Sequence, residues 1–284
     1  MLSASRRTDI PAFYMPWFMQ SLDRGYFEVI NPYNRLTSRV SADPENIHSI
    51  VFWSKNFEPF LRQGYDRVLT DRGYRLFFNF SINSPDTRLE PNLPDLSKRL
   101  DQLTCLAQRF GGDCIQWRFD PVCFYRESGG PLKHNLIRFG QIARSVAMAG
   151  VGVCISSFVD LYRKVLRRTS RCPGLEFVDP PMEEKISRIE AMQQILAPLA
   201  IALHLCCENE LLKAAPASLS LRRATCIPGR RLVERYGPGI SLSKDPGQRA
   251  SAGCECTLSK DIGSYALHPC RHDCLYCYAN PVSS

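Results

Sequence analysis

Three cysteines stand close together in the stretch Cys-Arg-His-Asp-Cys-Leu-Tyr-Cys, which occupies positions 270 to 277. The thiols are those of Cys270, Cys274 and Cys277, and an aromatic residue, Tyr276, comes just before the third. Three thiolates in one short loop can bind three irons of a [4Fe–4S] cluster and leave the fourth iron without a protein ligand. An open iron can bind a substrate or cofactor, so this spacing predicts a reactive iron–sulfur site.

The spacing and its aromatic residue resemble the signature of radical S-adenosylmethionine (SAM) enzymes, C-x3-C-x-aromatic-C. The resemblance implies that SAM chelates the open iron and that Tyr276 lies beside the adenine. Tyr278 and Asn280 follow directly and are expected to contact the same cofactor. In those enzymes the triad follows the first strand, whereas here it lies near position 280, so the tail must fold back over the rest of the molecule to form a site.

Zinc is the alternative metal for this loop. Cys and His at short spacings also suit tetrahedral Zn²⁺, and His268 and His272 lie within the same stretch. Structural zinc sites usually combine two close pairs of ligands, whereas here three cysteines stand together without an obvious fourth partner. The pattern therefore favours an iron–sulfur cluster.

A second set of thiols remains once the triad is assigned: Cys206, Cys226, Cys254 and Cys256, with Cys207 as an alternative to Cys206. Four thiolates can complete the ligation of a second [4Fe–4S] cluster, and zinc would satisfy the same set. The other cysteines lie on apolar strands or in loops and are expected to be ordinary buried thiols.

The composition is that of a folded protein of 284 residues, with 44% hydrophobic residues and 13 cysteines. The first residues contain no apolar stretch typical of a secretory signal, and no long apolar run predicts a membrane span. We therefore expect a cytoplasmic protein whose cysteines are metal ligands or buried thiols rather than disulfides. The net charge of +8 suits nucleic acid or a phosphorylated small molecule, but Arg-rich runs are also common on solvated helix faces.

Six apolar runs, most of them followed by a stretch of helical periodicity, predict βα units with a parallel sheet. They begin near positions 1, 49, 74, 114, 151 and 199. Six strands are too few for an eight-stranded barrel, so we expect an α/β fold of the partial (β/α)6 barrel type over residues 1–208. Residues 209–284 lose this alternation and are predicted to form an irregular, Cys-rich extension.

Polar residues follow or end these runs, where the carboxyl ends of parallel strands converge and ligands bind in α/β folds. We expect the catalytic groups there, with Asn79 and Ser157 contacting the cofactor. Each residue alone also has a structural explanation, as an ion pair or a helix cap. The predicted catalytic residues are Arg7, Asp9, Arg118, Asp120 and Glu208.

Several longer motifs resemble a bacterial family known only as a domain of unknown function with a C-terminal radical-SAM-like cysteine motif. They are Ser-Ala-Ser-Arg-Arg-Thr-Asp-Ile-Pro-Ala at 3–12, Val-Phe-Trp-Ser-Lys-Asn at 51–56, Trp-Arg-Phe-Asp-Pro at 117–121, Asp-Ile-Gly-Ser-Tyr at 261–265 and the cysteine-rich tail. The resemblance spans nearly the whole chain and implies an iron–sulfur protein of partial-barrel type, without naming a reaction.

The resemblance to radical SAM enzymes implies an enzyme that uses a 5′-deoxyadenosyl radical to modify a small molecule. With a second cluster the reaction could be sulfur insertion into a nucleoside or nucleotide, as in natural-product biosynthesis, and a flavodoxin or ferredoxin would supply electrons. The alternative is a non-radical module that uses iron–sulfur or zinc for nucleic-acid binding or redox sensing. A radical lyase acting on damaged DNA would share the same cluster chemistry.

Overall fold

The computed structural model of the chain describes residues 1–31 and 34–279. Asn280, which the sequence assigned to cofactor binding, lies outside the described residues. The strands are β1 (Leu2–Ala4), β2 (Tyr26–Ile30), β3 (Thr37–Ser41), β4 (Ile50–Ser54), β5 (Leu76–Ser81), β6 (Ile115–Val122), β7 (Phe124–Glu127), β8 (Lys133–His134), β9 (Val153–Phe158), β10 (Leu175–Phe177), β11 (Ala202–Leu205), β12 (Arg222–Arg223) and β13 (Lys260–Asp261).

Helices lie between most of the strands, as expected for βα units. They are α1 (Ile10–Phe13), α2 (Met15–Asp23), α3 (Glu58–Arg62), α4 (Tyr65–Asp71), α5 (Leu96–Phe110), α6 (Phe139–Met148), α7 (Arg163–Thr169), α8 (Met182–Leu196), α9 (Asn209–Ala214) and α10 (Gly229–Tyr236). In the described part of the chain, no helix has both the length and the apolar character needed to cross a bilayer.

The main sheet contains eight strands in the order β12-β11-β9-β6-β5-β4-β1-β13, and every pairing within it is parallel. The six predicted strands are β1, β4, β5, β6, β9 and β11, and they lie side by side in chain order. The prediction of an α/β fold with a parallel sheet is therefore confirmed. The extension supplies the two outer strands, β12 and β13, which at two residues each are too short to give an apolar run.

Residues that alternate along the strands pack on opposite faces of this sheet. On β4, Ile50 and Phe52 belong to the large core formed with the helices, whereas Val51 and Trp53 pack with part of the extension. The second face meets apolar residues of the extension such as Ile227 and Leu232. Strands covered on both faces read as continuous apolar runs, which is why they were recognisable in the sequence.

Two smaller sheets lie in the connections between strands of the main sheet. Strands β2 and β3 form an antiparallel pair, and β7 pairs with β8 and β10 in an antiparallel three-stranded sheet. The sequence did not predict the three-stranded sheet, whose members are short and lie in a loop region.

Candidate functional site

The cysteine tail folds back onto the carboxyl ends of the parallel strands. Asp9 follows β1, and its Oδ2 lies 2.7 Å from Nε2 of His272. The backbone N–H of Leu275 donates to Leu89 O at 2.9 Å, in the connection after β5. The chain before the tail also passes close to the edge, since a β-carbon on Gly263 would collide with Ser5 Oγ.

One guanidinium, that of Arg168 on α7, also binds the backbone of the tail. Arg168 Nη1 donates to the carbonyl oxygens of Cys274, Leu275 and Cys277 at 2.7, 3.2 and 2.8 Å, and Nη2 donates to Ala279 O at 3.3 Å. Hydrogen bonds from a charged donor are stronger than neutral ones. A single cation therefore holds the backbone that carries the second and third cysteines of the triad.

The three tail thiols are close enough to influence one another's ionisation. Burial, with the Asp9 carboxylate nearby, raises the pKa of Cys270 to about 12. Burial also raises the pKa values of Cys274 and Cys277, although the ammonium of Lys55 opposes this effect at both. The thiols are therefore protonated when no metal is bound, and metal binding would have to displace their protons.

Tyr276 is buried and lies among charged groups. Its hydroxyl donates to Glu90 Oε1 and accepts from Asn83 Nδ2 at 3.0 Å, and Lys55 Nζ lies 5.4 Å from the centre of its ring. Burial opposes the ionisation of Glu90, but the cations of Lys55 and Arg99 hold its pKa below the usual range. The predicted contact with adenine stays a prediction; the described contacts of this side chain are with the protein.

The second set of cysteines also comes together, on the face of the sheet covered by the extension. Cys206 Sγ lies 3.6 Å from Cys226 Sγ and 3.9 Å from Cys207 Sγ. Cys254 contacts Cys207 and Cys256, and Cys256 in turn contacts Cys226. Five thiols thus form one group, which we call the inner thiol group, and both Cys206 and Cys207 belong to it.

Cations surround the inner thiol group. Arg118 Nη1 donates to Cys226 Sγ at 2.8 Å, and the guanidinium of Arg6 lies beside Cys256. Hydrogen bonds from Cys226 and Cys254, together with the charge of Arg6, hold the pKa of Cys256 well below its usual range. Contact with Cys207 and burial raise the pKa of Cys206 to about 12. The guanidiniums of Arg6 and Arg118 therefore favour negative charge on the inner thiol group.

A continuous series of hydrogen bonds joins the tail to the inner thiol group. Asn83 donates to Tyr276 and accepts from the backbone N–H of Asp120 at 2.9 Å, while the Asp120 carboxylate accepts from Arg118 and Ser157. Arg118 then donates to Cys226. Burial opposes the ionisation of Asp120, but Arg118 and Ser157 hold its pKa below the usual range.

The remaining predicted residues occupy different positions relative to this network. Arg7 donates to Gly263 O at 2.9 Å and lies 3.9 Å from Asp261. Asn79 lies inside β5 and donates to Cys226 O at 2.9 Å, below the edge of the sheet. The hydroxyl of Tyr278, which is half exposed, donates to Arg6 O at 2.9 Å and so joins the tail to the side of the inner thiol group.

Glu208 lies apart from the thiols, in a pocket of about 140 Å³ beyond the ends of β9 and β11. Its Oε1 accepts from the backbone N–H of Phe158 at 2.7 Å, and burial raises the pKa of Glu208 to about 7. Asp160, Asp179 and Lys185 also line the pocket. Since Ser157, next to Phe158, donates to Asp120, the pocket adjoins the network at the strand ends.

The sequence interpretation did not assign roles to several residues that build this site: Arg6, Lys55, Asn83, Glu90 and Arg168. Lys55 was recognisable as a polar residue after a strand, and Asn83 and Glu90 lie in the Pro-rich connection that follows β5. Arg168 belongs to a basic helix that looked like a solvated face. Only the fold shows that one of its arginines points inward.

Within residues 1–31 and 34–279, no group of three or more His, Cys, Asp or Glu side chains is arranged so that it could hold a metal ion. The inner thiols contact one another directly, with Cys206 Sγ 3.6 Å from Cys226 Sγ. Each cysteine of a [4Fe–4S] cluster binds a different iron, whereas a zinc site draws its ligands to one centre at about 2.0–2.3 Å.

The fold and site define a mixed α/β protein whose parallel sheet has a cysteine-rich tail at its carboxyl edge and a group of thiols on one face. The chain belongs to the family described as a domain of unknown function (DUF1848), whose family model matches residues 1–279. The resemblance to a domain-of-unknown-function family is thereby confirmed, and the resemblance to radical SAM enzymes stays a prediction. A search of curated proteins finds no match.

Proposed function

We propose that the protein is a radical SAM enzyme that modifies a small molecule at the carboxyl edge of a partial (β/α)6 barrel. The observation that carries the proposal is the tail's position: Cys270, Cys274 and Cys277 lie over the strand ends, joined by hydrogen bonds to the inner thiol group. The barrel geometry is supported by the two differently covered faces of the sheet, helices on one and the extension on the other.

In number and type the thiols suit a cluster at each position, and the inner Sγ atoms, 3.6 and 3.9 Å apart at Cys206, would have to move apart for each to bind a different iron. Cys270, Cys274 and Cys277 would hold a [4Fe–4S] cluster with an open iron, and four of the five inner thiols would ligate a second one. Thiolate-bound clusters carry negative charge. Arg118 is buried and Arg6 half-buried beside the inner thiols, where they would balance it. When bound, the first cluster supplies the electron that cleaves SAM to methionine and a 5′-deoxyadenosyl radical.

The other residues would bind and orient the reactants. Asp120, held ionised by Arg118 and Ser157, offers a carboxylate to a ribose or substrate hydroxyl at the strand ends. The pocket beside it is lined by three carboxyl groups and one ammonium, so it suits hydroxyl or amine groups better than a phosphate. Glu208 Oε1 is occupied by Phe158, which leaves Oε2 for the substrate. The charge of the lining therefore favours a nucleoside over a nucleotide.

The first experiment is anaerobic purification and reconstitution with iron and sulfide. We expect two clusters per chain, hence about eight irons, and 5′-deoxyadenosine formation from SAM on reduction with dithionite. The triple variant Cys270→Ala/Cys274→Ala/Cys277→Ala should lose about half of the iron and all SAM cleavage. The control Cys105→Ala should change neither, because this thiol lies on α5, outside both groups. Full iron and activity in the triad variant would overturn the proposal.

Sulfur insertion is the narrower hypothesis for the reaction, with the inner cluster as the sulfur source. The variant Cys254→Ala/Cys256→Ala separates it from other radical reactions. Loss of the thiolated product, with 5′-deoxyadenosine still formed, would support sulfur insertion. The same product from this variant would eliminate it.

A zinc-containing binding module is the second candidate, and one contact favours it. His272 Nδ1 is buried and has no partner among the described residues, while Asp9 lies at the other ring nitrogen. A carboxylate behind a histidine is typical of metal-bound imidazole. A colourless protein that contains zinc, needs His272 to retain it and binds RNA with steep salt dependence would replace the radical proposal.

A further inference from the structure

The outer side of α7 carries basic residues that local helix physics does not explain. We call the exposed residues Arg163, Lys164, Leu166, Arg167 and Arg171 the α7 basic face. No acidic residue lies between positions 163 and 171, and the first turn of α7 contains two cations. Positive charge at a helix N-terminus opposes the helix dipole and is unfavourable. Arg163 and Lys164 in the first turn therefore cost helix stability, whereas Arg167 in the last turn is favoured by the dipole.

Several exposed arginines on the protein's surface have an acidic neighbour, such as Arg62 with Glu58 or Arg72 with Asp23. Within the described part of the chain, Arg163, Arg167 and Arg171 form no ion pair. Like charges on one short helix repel one another. A partner of opposite charge would relieve this repulsion.

The α7 basic face lies directly above the cysteine tail. Arg168, on the inner side of the same helix, donates to the carbonyl oxygens of Cys274 and Cys277 at 2.7 and 2.8 Å. Tyr162, which precedes the helix, packs edge-on against Tyr278 with ring centres 6.5 Å apart. A protein bound to this face would be separated from the triad by little more than the thickness of one helix.

We propose that the α7 basic face is the docking surface for an acidic electron-carrier protein of the flavodoxin or ferredoxin type. This inference rests on the proposed function, since it assigns the route by which electrons reach a cluster at the triad. Opposite charges on two proteins steer their association and increase its rate. Leu166, which is 47% exposed among the cations, supplies the apolar centre that such interfaces contain.

A nucleic acid would also be attracted by these charges, and bases stack on exposed aromatic rings. The aromatic rings beside the face, however, already contact the protein: Tyr265 lies under Lys164, and Tyr162 packs on Tyr278. The Tyr162 hydroxyl also donates to Asp160 and accepts from Arg249. The observations therefore favour an acidic protein.

The test compares Arg163→Glu/Arg167→Glu with Arg67→Glu/Arg144→Glu, a control with the same change of charge on α4 and α6. Binding of a purified flavodoxin is measured by calorimetry at low and physiological salt. We expect at least a tenfold weaker Kd for the first variant, a wild-type Kd for the control, and weaker binding of the wild type as salt rises. Unfolding curves check that both variants fold. The variant Arg163→Gln/Arg167→Gln, which removes the two charges without reversing them, is tested in the same way.

SAM cleavage gives the second readout and separates this inference from the proposed function. We expect the flavodoxin-driven rate of the α7 variant to fall in parallel with binding, while the dithionite-driven rate stays at the wild-type value. Wild-type flavodoxin binding by the α7 variants would overturn the docking surface even if SAM is cleaved. Absence of dithionite-driven cleavage in the wild type would overturn the proposed function alone. RNA binding by the same α7 variants is measured as a further comparison. If they lose RNA binding but keep wild-type flavodoxin binding, the α7 basic face is a nucleic-acid surface and the proposal is overturned.

Discussion

Tyr276 shows how one residue type supports two different functions. A cofactor role needs one face of its ring, whereas its hydroxyl is bonded to Glu90 and Asn83 inside the protein. The sequence motif predicts that the ring lies beside the cofactor. The structure shows that the hydroxyl makes hydrogen bonds inside the protein. Phenylalanine keeps the ring and removes the hydroxyl, so the two roles can be separated.

For Tyr276→Phe we expect a loss of about 1–3 kcal/mol in the free energy of unfolding, because Glu90 and Asn83 lose a buried hydrogen-bond partner. Urea unfolding of the anaerobic apoprotein measures it. Tyr65→Phe is the control: its hydroxyl bonds Gln63 at an exposed position and its loss should cost less than about 0.5 kcal/mol. Equal stability of the Tyr276 variant and wild type would show that this hydroxyl is not a structural contact.

Arg118 serves the inner thiol group and Asp120 at the same time. Removing the guanidinium in Arg118→Met leaves a buried carboxylate without its cation, for which we expect a cost of about 3–5 kcal/mol. The double variant Arg118→Met/Asp120→Asn should recover most of this loss, because the introduced amide still accepts from Ser157 through its carbonyl oxygen and carries no charge. Urea unfolding of both variants tests the pair, and a double variant no more stable than the single one would contradict it.

At the scale of elements, the sequence predicted what depends on local composition. The six apolar runs became β1, β4, β5, β6, β9 and β11 because strands covered on both faces must be apolar. Of the polar residues at their ends, Asp9, Asp120 and Ser157 lie in the network at the edge covered by the tail, whereas Asn79 lies inside β5 and Glu208 lines a separate pocket. Strands β12 and β13 were missed because their pairing depends on distant parts of the chain, and the sequence pattern of two residues carries too little information.

The approach of the tail to α7 could not be predicted for the same reason. Arg167 and Arg168 are neighbours in a basic run and look equivalent in the sequence. Helix geometry turns Arg168 toward the tail and leaves Arg167 in solvent. The contact joins segments more than one hundred residues apart, so only the fold identifies the arginine that matters.

Arg168→Gln should loosen the tail because one guanidinium supplies hydrogen bonds to four carbonyl oxygens. Charge-assisted bonds contribute about 1.5–3 kcal/mol each, so we expect amide hydrogen exchange over residues 274–279 to accelerate at least tenfold. Hydrogen exchange with mass spectrometry measures the segment. Arg167→Gln, on the exposed side of the same helix, should leave the exchange unchanged. Equal exchange in the two variants would mean that other contacts hold the tail.

At the scale of the whole molecule, the extension is interleaved with the sheet. Its strands β12 and β13 pair with β11 and β1, the outermost of the six predicted strands, and three of the five inner thiols come from it. The division at residue 208 therefore stays a prediction about chain segments, and whether residues 1–208 form an independent unit is open to a direct test.

We expect a fragment of residues 1–208 to aggregate or to unfold without cooperativity. Its strands β1 and β11 would expose unpaired backbone, and Val51, Phe77 and Ile155 would lose their apolar cover from the extension. The matched control ends at residue 279 and keeps everything the family model and the structure cover. Size-exclusion chromatography and thermal unfolding compare the two, and a monomeric 1–208 fragment with a cooperative transition would show that the sheet folds without its extension.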